Sequence, residues 1–264
     1  MSSPLLAVSE LTKRYRRGGQ TIAAVDGISF HIEPAETLAL AGPSGSGKST
    51  IARLLLRLIE PDAGHIEFEG GDFLSLNGAA LRARRARLQM VFQDPLAAFN
   101  PRATVARVLG DPLRVHGIAS RRERPRRIAA LLERVGLSAD LATRAIHEIS
   151  GGQRQRIAIA RAIATKPSLV VLDEAVSALD VSVRGQILQL LLDLQREERI
   201  AYLFISHDLG VISAIAHRIA ILDAGRIAES GDARAVIDAP QSAIGKALVA
   251  ATPKLTRTSM HDAS

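Results

Sequence analysis

Cysteine is absent from the 264 residues, which excludes disulfides, thiolate zinc sites and iron–sulfur ligation within the chain and fits a reducing compartment. Tryptophan is absent too and aromatics make up only 3%, so the core must be built from Leu, Ile, Val and Ala, the usual filling of a parallel α/β sheet. No stretch of 18 apolar residues occurs, and "MSSPLLAVSELTKRYRRGG" lacks the apolar segment of a leader peptide after a basic start. The chain is therefore expected to be soluble. Internal repeats and low-complexity segments are also missing.

Hydrophobic residues make up 47%, enough to bury the core of one large domain or of one domain with a smaller lobe. The formal net charge is +7 and is carried mainly by arginine, notably in "LRARRARLQ" and "ASRRERPRR". Such runs are solvated helix faces, contacts to anionic lipid headgroups or contacts to nucleic acid. No aromatic side chains are interleaved as stacking platforms, which counts against single-stranded nucleic acid.

From 5 to 40, short apolar runs broken at Gly18, Gly19, Gly27 and Pro34 predict several strands with tight connections. "STIARLLLRLIEPDAG" then repeats apolar residues at helical spacing and stops at Pro61 and Gly64. Between 94 and 158 the texture becomes Arg-rich amphipathic helix, read as an inserted helical lobe. From 168 to 223 the runs "SLVVLDE", "AYLFIS" and "RIAILDAG" are apolar without alternation, which implies strands covered on both faces in a parallel sheet wound with helices. The expected layout is one domain over 1–264: a nucleotide-binding core at 1–93 and 159–245, the lobe at 94–158 and a tail at 246–264.

"GPSGSGKST" satisfies G-x-x-x-x-G-K-[ST] between a predicted strand and a predicted helix, the context a phosphate loop requires. Gly42, Gly45 and Gly47 let the backbone curl, together with Pro43, Ser44 and Ser46, so that its N–H groups face phosphate oxygens. Lys48 is placed to reach the β and γ phosphates of ATP, Ser49 to give a hydroxyl to Mg²⁺, and Thr50 to sit near the α phosphate. "SLVVLDE" ends a strand on two carboxylates, Asp173 suited to hold the metal and Glu174 to polarise a water as general base. His207 and Gln93 also end apolar strands, His207 as a γ-phosphate contact and Gln93 as a ligand to metal or water through its amide oxygen. A second candidate anion site is "ISGGQ", where Ser150, Gly151 and Gly152 open a predicted helix.

The order of "GPSGSGKST", "VFQDP", "ISGGQ", "LVVLDE", "SALD" and "ISHD" resembles the ATP-binding cassette ATPases over nearly the whole chain. That resemblance implies a P-loop NTPase (RecA-like) α/β fold with a mostly parallel sheet, an N-terminal antiparallel β part and an inserted helical subdomain. It makes Tyr15 the candidate platform for adenine, the alternative being a half-buried sheet tyrosine. It also implies that Gln93 links the metal site to the lobe, that Ser177, Ala178, Leu179 and Asp180 form a dimer-contacting loop, and that His207 is the phosphate switch. Two cassettes then meet head to tail, and Ser150, Gly151 and Gly152, with Gln153 orienting the loop, close over the partner's ATP.

"VFQDPLAAFNPRATV", "DEAVSALDVSVRGQILQLL" and "LFISHDLGVI" further resemble the ATPase subunits of oligopeptide, dipeptide and nickel importers. The implied partners are a like or sister ATPase, two permease subunits and an extracytoplasmic binding protein, at the cytoplasmic face of the inner membrane and without nucleic acid. Two features depart from the peptide group: "APQSAIGKALVAATP" replaces a C-terminal His-Pro-Tyr-Thr stretch, and Val176 stands where Thr is common. The competing class is a soluble cassette acting on nucleic acid or the ribosome, which usually carries two cassettes or a coiled-coil insertion. A regulatory nucleotide binder is the third, and Glu174 argues against it.

Overall fold

The computed structural model describes residues 3–96, 98–100 and 102–251; the expected frayed stretch 252–264 lies outside the described residues. Two sheets form the frame. An antiparallel sheet in the order β2-β1-β4-β5 comprises β1 (Leu6–Arg17), β2 (Gln20–Ile32), β4 (Ala63–Phe68) and β5 (Gly71–Asp72). The second, in the order β10-β9-β3-β8-β7-β6, comprises β3 (Thr37–Ala41), β6 (Leu88–Val91), β7 (Leu169–Asp173), β8 (Ala201–Ile205), β9 (Arg218–Asp223) and β10 (Arg226–Asp232). Within it only β10 runs antiparallel.

The period of two along each central strand divides its side chains between two cores. Leu38, Leu40, Leu169, Val171, Leu203 and Ile205 face the layer shared with the antiparallel sheet and α1 (Lys48–Leu55). Ala39, Ala41, Val170, Leu172, Tyr202 and Phe204 face the helices α3 (Val105–Val115), α4 (Arg124–Arg134), α5 (Gly151–Ile163), α6 (Val181–Glu198) and α7 (Leu209–Ile215). Both faces are covered, which is why these runs carry no polar alternation. One helix, α5, runs through the boundary expected between 158 and 159, so lobe and core share it.

Two expectations change in detail. Gly27 does not end a strand: β2 continues through it with a register shift, and Gly27 N–H donates to Thr12 Oγ1 at 3.1 Å. The arginine run "LRARRARLQ" forms α2 (Gly78–Arg87), but Arg84, Arg85 and Arg87 are not simply solvated. Arg84 pairs with Glu69 at 2.9 Å, Arg85 donates to the carbonyls of Leu56 and Arg57, and Arg87 joins Glu69 at 3.1 Å. These cations stitch α2 to the sheets and are spoken for.

The chain after α8 (Ala233–Asp238) is not a free tail from 246: α9 (Ala243–Ala251) crosses that point. Glu229 anchors its start, accepting from Gln241 N at 2.8 Å, Ser242 N at 2.9 Å and Ser242 Oγ at 2.6 Å. The Gln241 amide foremost, then the Ser242 hydroxyl, hold the Glu229 carboxyl below the usual glutamate range. A depressed folded-state value gives stability that is present above the unfolded value and lost as pH falls through the folded one. We therefore expect the protection of α9 amides, corrected for the intrinsic exchange rate, to fall as pH drops below the ordinary glutamate range, and Glu229→Gln to show that reduced protection already at neutral pH.

Candidate functional site

Strand order places the site. β3, β8, β7 and β6 are parallel neighbours about 4.8 Å apart, so the four loops leaving their carboxyl ends lie side by side within roughly 15 Å. Those loops carry the phosphate loop, His207, Asp173 with Glu174, and Gln93, in that order. Residues spread over more than 160 positions thus reach one edge, as a switch from β3 out to β6 demands.

The phosphate loop is as tight as its glycines require. A Cβ at Gly47 (φ 108°) would meet the Ala24 carbonyl oxygen at 2.3 Å, and one at Gly42 would meet that of Leu222 at 2.4 Å. Lys48 is buried and curls back over the loop, donating to the carbonyls of Gly42 and Pro43 at 2.8 Å each. Burial lowers its ammonium pKa, and Glu174 and then Asp173 oppose that shift. A phosphate would replace two carbonyl dipoles with full charge, a better partner for a desolvated cation.

Beside it Ser49 Oγ lies 3.5 Å from Asp173 Oδ1. Burial pushes the Asp173 carboxyl above its usual range, against the Ser49 hydrogen bond that lowers it. A buried carboxylate next to a hydroxyl fits a hard cation with oxygen ligands, as Mg²⁺ demands, so the donor set suits that ion. Among the described residues no group of three or more His, Asp or Glu side chains is placed to hold a metal ion by itself.

Glu174 occupies the centre. Its Oε2 accepts from Gln93 Nε2 at 3.1 Å, and its Oε1 lies 3.2 Å from His207 Nδ1. The Gln93 amide oxygen takes no part in this contact. The backbone at Glu174 is left-handed (φ 47°), an uncommon state for a residue with a side chain, and it is fixed by Glu174 N–H donating to Ile205 O at 3.0 Å. Ser177 returns to the Glu174 carbonyl through its hydroxyl at 2.9 Å. Ala178 and Asp180 are exposed, Leu179 is half-buried against the core and Asp180 precedes α6.

The signature residues lie at the start of α5, where Gly151 shares a small cavity with Gln93 and Ala175. Ser150 caps α5, accepting from Gln153 N at 3.3 Å while its own N–H donates to Gln153 Oε1 at 3.1 Å, a reciprocal capping box. Ser150 and Gly151 are exposed at this N-terminus, and a Cβ at Gly152 would meet Val183 Cγ1 at 2.9 Å, so glycine lets α5 approach α6. Among the described residues no hydrogen bond joins 150–153 to the phosphate loop.

Tyr15 pairs with Ile22 across β1 and β2, one pair from Ala23 and two residues from Ala24, whose carbonyl abuts Gly47. The two side chains are 40% and 49% exposed, so an apolar platform flanks the phosphate loop. Ile22 is a member of it that sequence reading missed, since an isoleucine in a strand gives no signal of its own. Asp208 and Arg184 were missed as well: their ion pair at 2.9 Å joins residues 24 positions apart.

The edge is that of a P-loop protein, with the capped loop 150–153 as a separate element. A profile described as ABC transporter matches residues 25–177, more than half of the chain. The cassette MJ0796, solved as a dimer in a post-hydrolysis state bound to ADP and Pi, is similar with a TM-score of 0.78 at 30% identity, covering 87% of this chain and 99% of that one. The chain belongs to the ABC transporter family, and its fold is that of the ABC ATPases. Also similar is cbiO1 from Clostridium perfringens, part of the transporter complex cbiONQ (TM-score 0.78, 27% identity, 90% and 92% covered). Among curated proteins, the glutathione import ATP-binding protein GsiA is 51% identical in Salmonella paratyphi A and 49% in Escherichia coli K12, each over 257 residues. That alignment takes 95% of this chain but 41% of those relatives, so the chain spans about two fifths of their length.

Proposed function

We propose that this chain is the ATP-hydrolysing cassette of an importer for peptide-like solutes. The carrying observation is Glu174, held through both oxygens by Gln93 and His207 beside the Ser49–Asp173 pair. In this reading Glu174 takes a proton from the attacking water, while His207 and Gln93 fix its rotamer. Lys48 and the backbone of 42–47 grip the β and γ phosphates, and Tyr15 with Ile22 supports the base. Ser49, Asp173 and Gln93 would hold Mg²⁺, which when bound would supply positive charge against the phosphoryl oxygens. Ser150, Gly151, Gly152 and Gln153 serve the nucleotide of a second cassette, which the loop 177–180 also touches.

Of the two cargo classes the residues suggested, peptide and nickel, the relatives favour the peptide class, since glutathione is a tripeptide. Among the described residues no helix is long and apolar enough to cross a membrane, so passage falls to separate permease subunits. A cleft of about 560 Å³ between α2, β6 and α3 suits them. Exposed Leu58, Phe92 and Val115 line it, and Phe92 adjoins Gln93, which offers a short path from a docked permease to Glu174. The cassette then sits at the cytoplasmic face of the membrane, with an extracytoplasmic binding protein delivering cargo.

The test is purification of the tagged chain from its own membranes in mild detergent, followed by mass spectrometry. Multi-spanning permease chains are expected with it. Ribosomes or nucleic acid without a permease would transfer the function to the arginine-rich surface of 121–127.

A further inference from the structure

The two buried side-chain nitrogens without an acceptor among the described residues, Arg184 Nε and Gln155 Nε2, both border the loop that follows Glu174. Gln155, 2% exposed, lines a small cavity of about 200 Å³ whose far wall is Ala175, Ala178 and Leu179. The Arg184 side chain also holds this loop, through Nη2 to Leu179 O at 3.3 Å. Glu174, in its left-handed conformation, opens the loop. Unsatisfied buried donors and a left-handed glutamate are each disfavoured, and here both donors border the stretch 174–180 that Glu174 opens. Space therefore lies beside the loop.

The other end of Arg184 reaches the loop of β8. Its Nη1 donates to Asp208 Oδ2 at 2.9 Å, while Asp208 Oδ1 accepts from Val211 N at 3.1 Å and so caps α7. Asp208 is the neighbour of His207. One planar guanidinium therefore spans the loop leading from the general base and the loop carrying the histidine that touches it. A lysine, with a single point charge, can satisfy Asp208 or the Leu179 carbonyl but not both in this geometry.

We propose that Arg184 is a positioning residue for hydrolysis: it couples residues 175–180 to His207, so that the dimer-facing loop and the histidine on Glu174 move as one unit. The proposal rests on the ATPase reading of the site. The phosphate loop makes no contact with Arg184 in any hydrogen bond or ion pair among the described residues, so capture of ATP is independent of it.

The experiment compares the full chain with Arg184→Met, Arg184→Lys, Asp208→Asn and the Arg184→Met/Asp208→Asn double variant, reading kcat, KM for ATP and Tm, with Glu174→Gln alongside. Asparagine still offers Val211 a capping oxygen, so Asp208→Asn removes the charge and keeps α7. Expected are a kcat lower by about tenfold or more in Arg184→Met and in Asp208→Asn, with KM within about twofold and an intermediate kcat in Arg184→Lys. The double variant should be no slower than the worse single one, because both break one link. Normal kcat in Arg184→Met beside an inactive Glu174→Gln would overturn the coupling, as would a KM rising in step with the loss or additive effects in the double variant. Activity persisting in Glu174→Gln would instead remove the ATPase reading of the site.

Discussion

Glu174→Gln will bind ATP as tightly as the parent chain and hydrolyse it about a hundredfold or more slowly, the usual scale for losing a positioned general base. The amide is isosteric, and it still offers an oxygen to Gln93 at the 3.1 Å contact and a group to His207 at 3.2 Å, so the loop conformation persists. What disappears is the proton acceptor. Binding should survive because the proposed grip on the phosphates is that of Lys48, which lies against the carbonyls of Gly42 and Pro43, and of the backbone of 42–47, without Glu174. If ATP bridges two cassettes, a form that binds without turning over should accumulate as a pair, and light scattering with ATP should read twice the 28.2 kDa of one chain. Unchanged turnover would remove Glu174 from the chemistry. A mass of one chain with lost turnover would keep its role and remove the bridge.

The strand ends were the legible part of the site. Lys48, Asp173, Glu174, His207 and Gln93 all follow apolar runs, and a buried parallel strand announces both its length and its carboxyl end. The order of the strands was not written in any one run. That β8 lies between β3 and β7 follows from how helices and sheets share two cores, and it is this order that puts His207 against Glu174. Long-range polar pairs were hidden for the same reason. Arg84, Arg85 and Arg87 read as a charged helix face, yet their acceptors are carbonyls and a glutamate from the turns at 56–57 and 68–69. Gly27 signalled a break because glycine usually marks one, whereas a hydroxyl from the paired strand absorbs its N–H and lets β2 continue. The signature was legible as a capped helix start, since its box lies within four residues.

Mixing two inactive variants should restore hydrolysis if each site is built from two chains. Lys48→Ala removes the cation of the phosphate loop. Gly151→Asp leaves the fold in place, because a Cβ there meets nothing within 4 Å and an acidic residue suits the first turn of a helix. It nevertheless sets a negative charge where the proposed trans site receives a γ phosphate. In a head-to-tail pair of one variant with the other, both lesions fall in the same composite site, and the second site keeps an intact Lys48 and an intact signature. Random pairing makes half of the dimers mixed, each with one sound site, so a single-turnover burst of about one quarter of the parent amplitude is expected. Single-turnover conditions register that site whether or not it cycles in step with the other. Were Ser150, Gly151 and Gly152 to serve the phosphate loop of their own chain, every dimer in the mixture would carry a lesion in each site and no burst would appear. The first outcome is expected because Ser150 and Gly151 are exposed at the start of α5 and, among the described residues, 150–153 make no hydrogen bond to the phosphate loop of their own chain.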